Sequence, residues 1–196
     1  VPLPPKTFNR GHSEALSVFL ANEFYFDRLT LNAGVRLEDI DGEVLNRNTG
    51  VTTYNDQKEV MPSISLLFPL SNKLSLIAGI HQGFSPSGPG ATGIDPESST
   101  NYEFGGRYKD QNTYAELFGF YSDYSNLLGR CRVSDFGCNP GQVFSGGEVI
   151  INGLEVFGEQ TFEISQSTTL KLGLTYTYTK SEFQSSFLST FSQFGA

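Results

Sequence analysis

Two cysteines are the residues of this sequence that are best placed to react with one another. Cys131 and Cys138 lie in a polar stretch that contains glycine, without the second cysteine pair or nearby histidine that a zinc site needs. They are either two unrelated buried thiols or a disulfide that closes a short loop. We favour the disulfide, which predicts that the protein resides in an oxidising compartment.

Other residues that could support chemistry stand apart from suitable partners. His12 and His81 have no nucleophile or ligand set near them in the sequence. Asp39, Asp41 and Gly42 lack the remaining ligands of a calcium loop. We therefore predict no catalytic residue, no metal site and no cofactor, and we expect a protein that is not an enzyme.

The composition argues against a nucleic-acid-binding protein and against a membrane protein with spanning helices. The formal net charge is -8, and no clustered basic stripe is present to neutralise phosphates, so nucleic-acid binding is not expected. No run approaches the roughly 20 apolar residues that cross a bilayer as a helix. The protein is therefore either soluble or crosses a membrane as a closed β-barrel, the other permitted architecture.

Hydrophobic side chains recur at every second position, which is typical of strands with one apolar and one polar face. Leu29, Leu31, Ala33, Val35 and Leu37 show this period clearly. The predicted strands span residues 13–26, 29–41, 58–68, 73–84, 99–109, 112–125, 147–162 and 169–181. In the strand 112–125 the outward face stays undecided, because Phe118 and Phe120 compete with Leu117 and Tyr121.

The predicted connections alternate between short and long, as in outer-membrane barrels with tight periplasmic turns and long external loops. The short connections are 27–28, 69–73, 109–112 and 163–169, and the long ones are 42–57, 85–98, 126–146 and the residues after 181. This wiring would place both ends of the chain outside the cell, whereas a complete bacterial barrel starts and ends in the periplasm. We therefore expect about eight strands of a larger barrel.

Several segments resemble motifs of one family. Residues 96–108, PESSTNYEFGGRY, resemble the Pro-Glu-x-x-x-Asn-Tyr-Glu-Leu-Gly-x-Arg-Tyr signature in the barrels of TonB-dependent receptors. Segments 29–39, 74–90, 115–128 and 151–159 are similar to further motifs of that family, in the same order and with matching spacing.

The resemblance implies an antiparallel transmembrane barrel of 22 strands that is filled by an N-terminal plug. Residues 1–196 would then be a partial barrel domain without the plug and the C-terminal closing strands. Such receptors import a ferric siderophore or a similar nutrient across the bacterial outer membrane, with energy that TonB passes through the plug. The implied partners are therefore the ferric ligand, the plug, TonB, and outer-membrane lipid and lipopolysaccharide.

Glu103 and Glu155 lie within the two motifs that match best, at positions of the alternation that we assign to the lumen. In the family, glutamates at these motif positions contact arginines of the plug, which implies the same role here. A carboxylate in a packed lumen needs a charged or hydrogen-bonding partner. The alternative is that both residues face lumen water or pair with Arg36 or Arg107 on neighbouring strands.

The segment 129–138, GRCRVSDFGC, is similar to the subgroup that resembles ferric citrate receptors. Arg130 and Arg132 flank Cys131 there, and the planar guanidinium group suits an anionic iron chelate. These arginines are therefore candidate ligand-binding residues. Alternatively, they keep a loop solvated or bind lipopolysaccharide phosphates.

Two other architectures are compatible with the alternation of side chains. One is a complete, small outer-membrane barrel that acts as an adhesin or structural protein, and the other is a soluble β-sandwich binding module. A sandwich would bury its apolar faces against each other. The length of the strands and the pattern of connections favour the larger barrel.

Overall fold

The computed structural model describes residues 8–131, 141, 143–145 and 147–186, which contain ten strands. The strands are β1 (Asn9–Phe26), β2 (Leu29–Asn46), β3 (Val51–Pro69), β4 (Leu74–Ser85), β5 (Glu97–Lys109), β6 (Thr113–Ser125), β7 (Leu128–Arg130), β8 (Val143–Ser145), β9 (Gly147–Ser165) and β10 (Thr168–Ser186). Within these residues we find no helix of the length and apolar character that a membrane-spanning helix requires. The prediction of an all-β chain is confirmed.

Eight of these strands form one antiparallel meander in the order β1-β2-β3-β4-β5-β6-β9-β10. The strands β7 and β8 pair only with each other and form a small hairpin in the connection between β6 and β9. In the described part of the chain β1 and β10 are the two edges, so the sheet is open. The predicted barrel segment of about eight meandering strands is confirmed.

Short turns join the strands at one end of the sheet, and longer connections join most of them at the other. The short turns are residues 27–28, 70–73, 110–112 and 166–167. In the first of these, Asp27 adopts a φ of 48°, a left-handed conformation that aspartate tolerates better than most side chains. The turn between β9 and β10 is tighter than the predicted span of 163–169.

The prediction of a long loop at 42–57 is wrong. The strands β2 and β3 continue through this segment and stay in register up to the pair Asn46 and Val51. The four-residue tip ends at Gly50, whose φ of +74° suits glycine. Charged and polar residues occur on both faces of this end of the hairpin, and they mask the strand pattern in the sequence although the backbone is paired.

Two adjacent rows of residues show how the sheet separates apolar and polar side chains. One row crosses all eight strands and is formed by Phe24, Leu31, Leu66, Ala78, Phe104, Gly119, Leu154 and Tyr178. The next row points to the opposite side and is formed by Glu23, Asn32, Ser65, Gly79, Glu103, Phe120, Gly153 and Thr179. We call these two sides the apolar face and the polar face.

The apolar face is not covered by any other described part of the chain. Phe104 is 62% exposed and Leu174 is 65% exposed, although both lie in the middle of long strands. Among the described residues only Cys131 and Val149 are buried hydrophobic side chains. A β-sandwich would bury its apolar faces, so the described structure does not support that architecture.

The apolar face has the height of a hydrocarbon layer. On β2 its apolar stretch runs from Leu29 to Leu37, and a strand that crosses a bilayer at a tilt needs about 9–11 residues. Directly beyond this stretch the same face becomes charged, where Lys58 Nζ lies 2.8 Å from Asp39 Oδ2. An abrupt change from aliphatic to charged side chains is expected where lipid meets water.

The orientation of β6 is resolved by the glycines beside it. Phe118 and Phe120 lie on the polar face, whereas Leu117 and Tyr121 lie on the apolar face. A Cβ atom built on Gly105 would come within 2.6 Å of the Phe118 ring, which therefore covers that glycine. The Phe120 ring covers Gly153 of β9 in the same way, at 2.7 Å.

This packing predicts that an alanine at Gly105 destabilises the protein. Its methyl group would collide with the carbonyl oxygen of Leu117 as well as with the Phe118 ring, and overpacking costs about 1–3 kcal/mol. Gly158→Ala is the matched control, because a Cβ atom there meets nothing within 4 Å. We expect Gly105→Ala, but not Gly158→Ala, to lower the denaturant midpoint of the full-length protein. Equal midpoints would show that the ring contact is not tight.

Candidate functional site on the polar face

Glu103 and Glu155 both lie near the centre of the polar face. Glu103 is in β5, directly opposite Gly79 of β4 and Phe120 of β6. Glu155 is in β9, directly opposite Phe118 and a threonine of β10. Both glutamates are exposed. They share the polar face, and each lies directly opposite a phenylalanine of β6.

The alternative in which these glutamates pair with Arg36 or Arg107 is not observed. Arg36 Nε donates to Glu38 Oε1 at 2.6 Å, and Arg36 Nη2 donates to the hydroxyl oxygen of Ser17 at 3.1 Å. Arg107 Nε donates to Glu116 Oε1 at 2.5 Å. Within the described residues, neither Glu103 nor Glu155 has an ion pair or a side-chain hydrogen bond. Their carboxylates are therefore available to a group outside this part of the chain.

Phe118 and Phe120 lie directly opposite these carboxylates. The sequence alone did not assign the two phenylalanines to a face of the sheet. Each ring lies over a glycine of an adjacent strand, so the two rings form an apolar floor between the two glutamates. The signal that could have placed them is cross-strand pairing, because Gly105 lies opposite Phe118 and Gly153 lies opposite Phe120. That pairing is visible only once the register is known.

A recess of about 420 Å³ opens beside Glu103. Its walls are short because β1 to β4 contribute small residues there: Ala21, Gly34, Ser63, Ser65 and Gly79. Glu23, Asn32 and His81 are also among the residues that line it. The recess therefore combines room for a side chain with carboxylates on its rim. His81 has no metal site around it, since the described residues hold no cluster of three or more His, Cys, Asp or Glu that could bind an ion.

The candidate ligand-binding residues lie near the hairpin of β7 and β8. Arg130 is the last residue of β7 and is exposed. Cys131 follows it, is 2% exposed and is disulfide-bonded. Arg132 and Cys138 lie outside the described residues, so the predicted pairing of the two cysteines and the role of Arg132 stay predictions. Glu97 Oε1 accepts a hydrogen bond of 2.7 Å from the backbone N–H of Leu128, which ties the base of this hairpin to β5.

A comparison with known protein families identifies the family of this chain. A family model described as "TonB dependent receptor-like, beta-barrel" matches residues 1–193. The chain belongs to this receptor barrel family. The resemblance of the sequence motifs is thereby confirmed, and the family is one of receptors and transporters, not of enzymes.

Solved structures agree on the fold of the receptor barrel. The chain is similar to the ferric citrate transporter FecA in its unliganded form, with 20% identity, a TM-score of 0.75, and coverage of 93% of this chain and 28% of that one. It is also similar to the FrpB iron transporter from Neisseria meningitidis, with 16% identity, a TM-score of 0.68, and coverage of 92% and 27%.

A further similar structure is the ferric yersiniabactin uptake receptor FyuA from Yersinia pestis, with 17% identity, a TM-score of 0.67, and coverage of 92% and 29%. At these identities the likeness concerns the fold. The chain spans less than a third of the length of each of these structures.

A carboxylate organises the turn between β5 and β6 of the receptor barrel. Asp110 Oδ1 accepts hydrogen bonds from the backbone N–H groups of Asn112 at 3.0 Å and Thr113 at 2.8 Å. Its Oδ2 accepts one from the hydroxyl group of Tyr108 at 2.8 Å and lies 3.5 Å from Lys73 Nζ. These contacts favour the charged form, so the pKa of Asp110 lies well below its usual range, chiefly because of the Asn112 N–H and the Tyr108 hydroxyl.

This lowered pKa predicts how the turn depends on pH. The stabilisation by Asp110 is fully present above the ordinary carboxyl pKa of about 4 and is lost as the pH falls through the lower pKa of the folded state. Asp110→Asn should therefore lower the thermal unfolding midpoint of the receptor at pH 7, and the difference from the unmodified receptor should shrink as the pH falls below about 4.

Asp27→Asn is the control for this experiment, because Asp27 occupies another short turn but makes no described side-chain contact. We expect its midpoint to match the unmodified receptor at both pH values. A deficit in Asp110→Asn that is the same at pH 7 and pH 3 would contradict the assigned role of the charge.

Proposed function

We propose that this chain forms part of the barrel wall and external loops of a TonB-dependent outer-membrane receptor that imports a ferric siderophore or a similar nutrient. The observation that carries the proposal is the uncovered apolar face, which has the height of a hydrocarbon layer. The opposite, polar face of the same sheet carries two unpaired carboxylates. Lipid is the medium in which such an apolar face is favourable. The family to which the chain belongs supports this assignment.

The remaining strands of the barrel would pair with the two open edges of the sheet. In hydrocarbon each unpaired backbone N–H or C=O group costs several kcal/mol, so open edges do not persist in a membrane. The solved relatives, which are more than three times as long as the matched region, support a barrel with further strands. We infer that this chain is a partial barrel domain of a protein that also has a plug and closing strands.

We infer that the plug is the partner of Glu103 and Glu155. Both carboxylates lie on the polar face and lack a partner among the described residues. In a closed barrel with its apolar face towards lipid, the polar face would line the lumen. A guanidinium group in a water-poor lumen would gain charge-assisted hydrogen bonds from each of them. The recess beside Glu103 offers space for a side chain of that size. TonB would act on the barrel only through this plug.

The proposed ligand is an anionic iron chelate similar to ferric citrate. The exposed Arg130 beside the buried, disulfide-bonded Cys131 supports this choice, because a disulfide would hold the cation in place at the external mouth. The transporter FecA, whose name refers to ferric citrate, is among the similar structures. Outer-membrane lipid would contact the apolar face, and lipopolysaccharide would surround the charged residues above it.

Growth on single iron sources tests this function. A strain without the full-length gene should lose growth on ferric citrate as the only iron source, and a protonophore should stop uptake of radioactive iron from that chelate in the parent strain. If the strain grows on ferric citrate but not on another ferric chelate, the receptor imports iron and ferric citrate is not its ligand. Unchanged growth on every ferric chelate would contradict iron uptake.

Replacing both plug-facing carboxylates tests the contact with the plug. Glu103→Gln together with Glu155→Gln removes two charged partners, each worth about 1.5–3 kcal/mol in such a hydrogen bond. The plug should then leave the lumen more often, and sensitivity to an antibiotic too large for porins, such as vancomycin, should rise at least about fourfold.

Glu14→Gln is the control for this variant, since Glu14 is an exposed glutamate on the apolar side of the sheet beyond the aliphatic stretch. Its antibiotic sensitivity should match the unmodified receptor. Equal sensitivity in the double variant and the control, at equal receptor levels, would count against the plug contact.

A further inference from the structure

The connection between β4 and β5, residues 86–96, folds back over the polar face of β1, β2 and β3. We call this segment the mouth loop. It contacts the part of the β2–β3 hairpin that extends beyond the apolar stretch, on the same side of the sheet as Glu103. We propose that Gln57 is a positioning residue that holds the mouth loop against this hairpin, so that the loop is a fixed wall of the external mouth in the ligand-free receptor.

The hydrogen bonds of Gln57 are the first support. Its Nε2 donates to the carbonyl oxygen of Ser87 at 3.2 Å, and its Oε1 accepts from the backbone N–H of Ser87 at 2.9 Å. One side chain therefore satisfies both backbone groups of a loop residue, as a neighbouring strand would. A backbone group that stays unpaired away from water is costly, so this pairing replaces the ladder that the loop lacks.

Two more contacts hold the following residues of the loop. The backbone N–H of Gly90 donates to Asn55 Oδ1 at 2.6 Å, and the hydroxyl group of Thr92 donates to the carbonyl oxygen of Tyr54 at 3.3 Å. The acceptors belong to consecutive positions along β3, close to Gln57. The mouth loop therefore follows β3 over several residues and does not touch it at one point only.

The backbones approach so closely that glycine is needed on both sides. A Cβ atom on Gly42 of β2 would lie 3.0 Å from the Cα atom of Pro89. Gly90 has a φ of +77°, and a Cβ atom there would lie 2.6 Å from Thr53 Oγ1 and 2.8 Å from Val44 Cβ. The hairpin and the loop thus fit each other closely, since the contact leaves no room for a side chain at Gly42 or at Gly90.

Burial shows that the contact excludes water. Among the described residues the buried polar or charged side chains are Glu38, Gln57, Ser87 and Ser99. Two of these four belong to the contact, with Gln57 at 7% and Ser87 at 4% exposure. In an open sheet whose side chains are mostly accessible, this is a local packed core. Its backbone groups at Ser87 are paired, although the hydroxyl group of Ser87 and Asn55 Nδ2 have no hydrogen-bond partner among the described residues. Because the contact is packed and its backbone is paired, we expect it to open less readily than an unsupported loop does.

A fixed mouth loop would limit how the receptor can close over a ligand. A loop that is pinned to the wall presents a constant surface, so movement at the mouth must come from other connections. The proposal depends on the proposed function only in placing the mouth loop outside the cell. The packing of the loop on the hairpin holds independently of what the receptor transports.

Labelling of single cysteines on intact cells tests the proposal with the full-length receptor. Ser87→Cys places a thiol in the buried contact, and Gly88→Cys places one on the adjacent residue, where a Cβ atom meets nothing within 4 Å. With a membrane-impermeant maleimide, we expect Ser87→Cys to react at least about tenfold more slowly than Gly88→Cys, because it must wait for the loop to open.

Adding Gln57→Met to Ser87→Cys should bring its labelling rate to within about threefold of that of Gly88→Cys, since methionine keeps the shape of the side chain but not its hydrogen bonds. Gln57→Glu retains the acceptor for the Ser87 N–H and should give an intermediate rate. Gln82→Met, at an exposed glutamine of β4 without a described hydrogen bond, is the control and should leave the protection unchanged.

Equal labelling of Ser87→Cys and Gly88→Cys in the otherwise unmodified receptor would overturn the fixed wall. Protection that survives Gln57→Met would overturn the role of Gln57. The comparison of Ser87→Cys with Gly88→Cys needs no change at Gln57. It therefore tests whether the mouth loop is fixed even if the Gln57→Met variant does not reach the cell surface. If Gly88→Cys itself stays unlabelled, the external placement fails, and with it the proposed function.

Discussion

Backbone pairing between neighbouring strands is the constraint on which the rest of this structure depends. Each strand of the meander is held by antiparallel hydrogen bonds in continuous register, with local shifts at the ends of the β9–β10 pair. Because side chains alternate along a strand, a continuous register also aligns apolar residues into rows that cross every strand. The apolar face consists of these rows. A shift in the register of one strand by one residue would move its apolar side chains to the polar face.

The same register decides which charges of the polar face are neutralised locally. It brings Arg107 directly opposite Glu116, whereas Arg36 pairs with Glu38 two positions further along the same strand. Both arginines therefore have partners within the sheet. Glu103 and Glu155 are instead opposite phenylalanines, whose rings cover glycines on the neighbouring strands. The unpaired state of these two glutamates is therefore a consequence of cross-strand geometry. Both carboxylates lie on the polar face and have no ion pair among the described residues.

Much of the fold could be predicted from the sequence because the period of two is a local property. The stretch from Leu29 to Leu37 shows it within nine positions, and the short turns are marked by polar residues. The segment 42–57 was predicted wrongly, because charged and polar residues occur on both faces of this hairpin and mask the strand pattern. The placement of Glu103 and Glu155 on one face followed from alternation and from the family motif. The contact of Gln57 with Ser87 could not be predicted, since it joins a residue of β3 to one in the connection after β4, 30 positions away.

A scan of spin-label accessibility along β10 tests the central claim that the apolar face meets lipid. Nitroxide labels would be placed one at a time at positions 170–178 of the full-length receptor in lipid bilayers, and their collision rates with oxygen and with a water-soluble nickel complex would be measured. We predict that oxygen collisions peak at Leu170, Leu172, Leu174, Tyr176 and Tyr178, where the side chains lie on the apolar face. Peaks at the intervening positions, or the absence of a period of two, would contradict this orientation of the sheet.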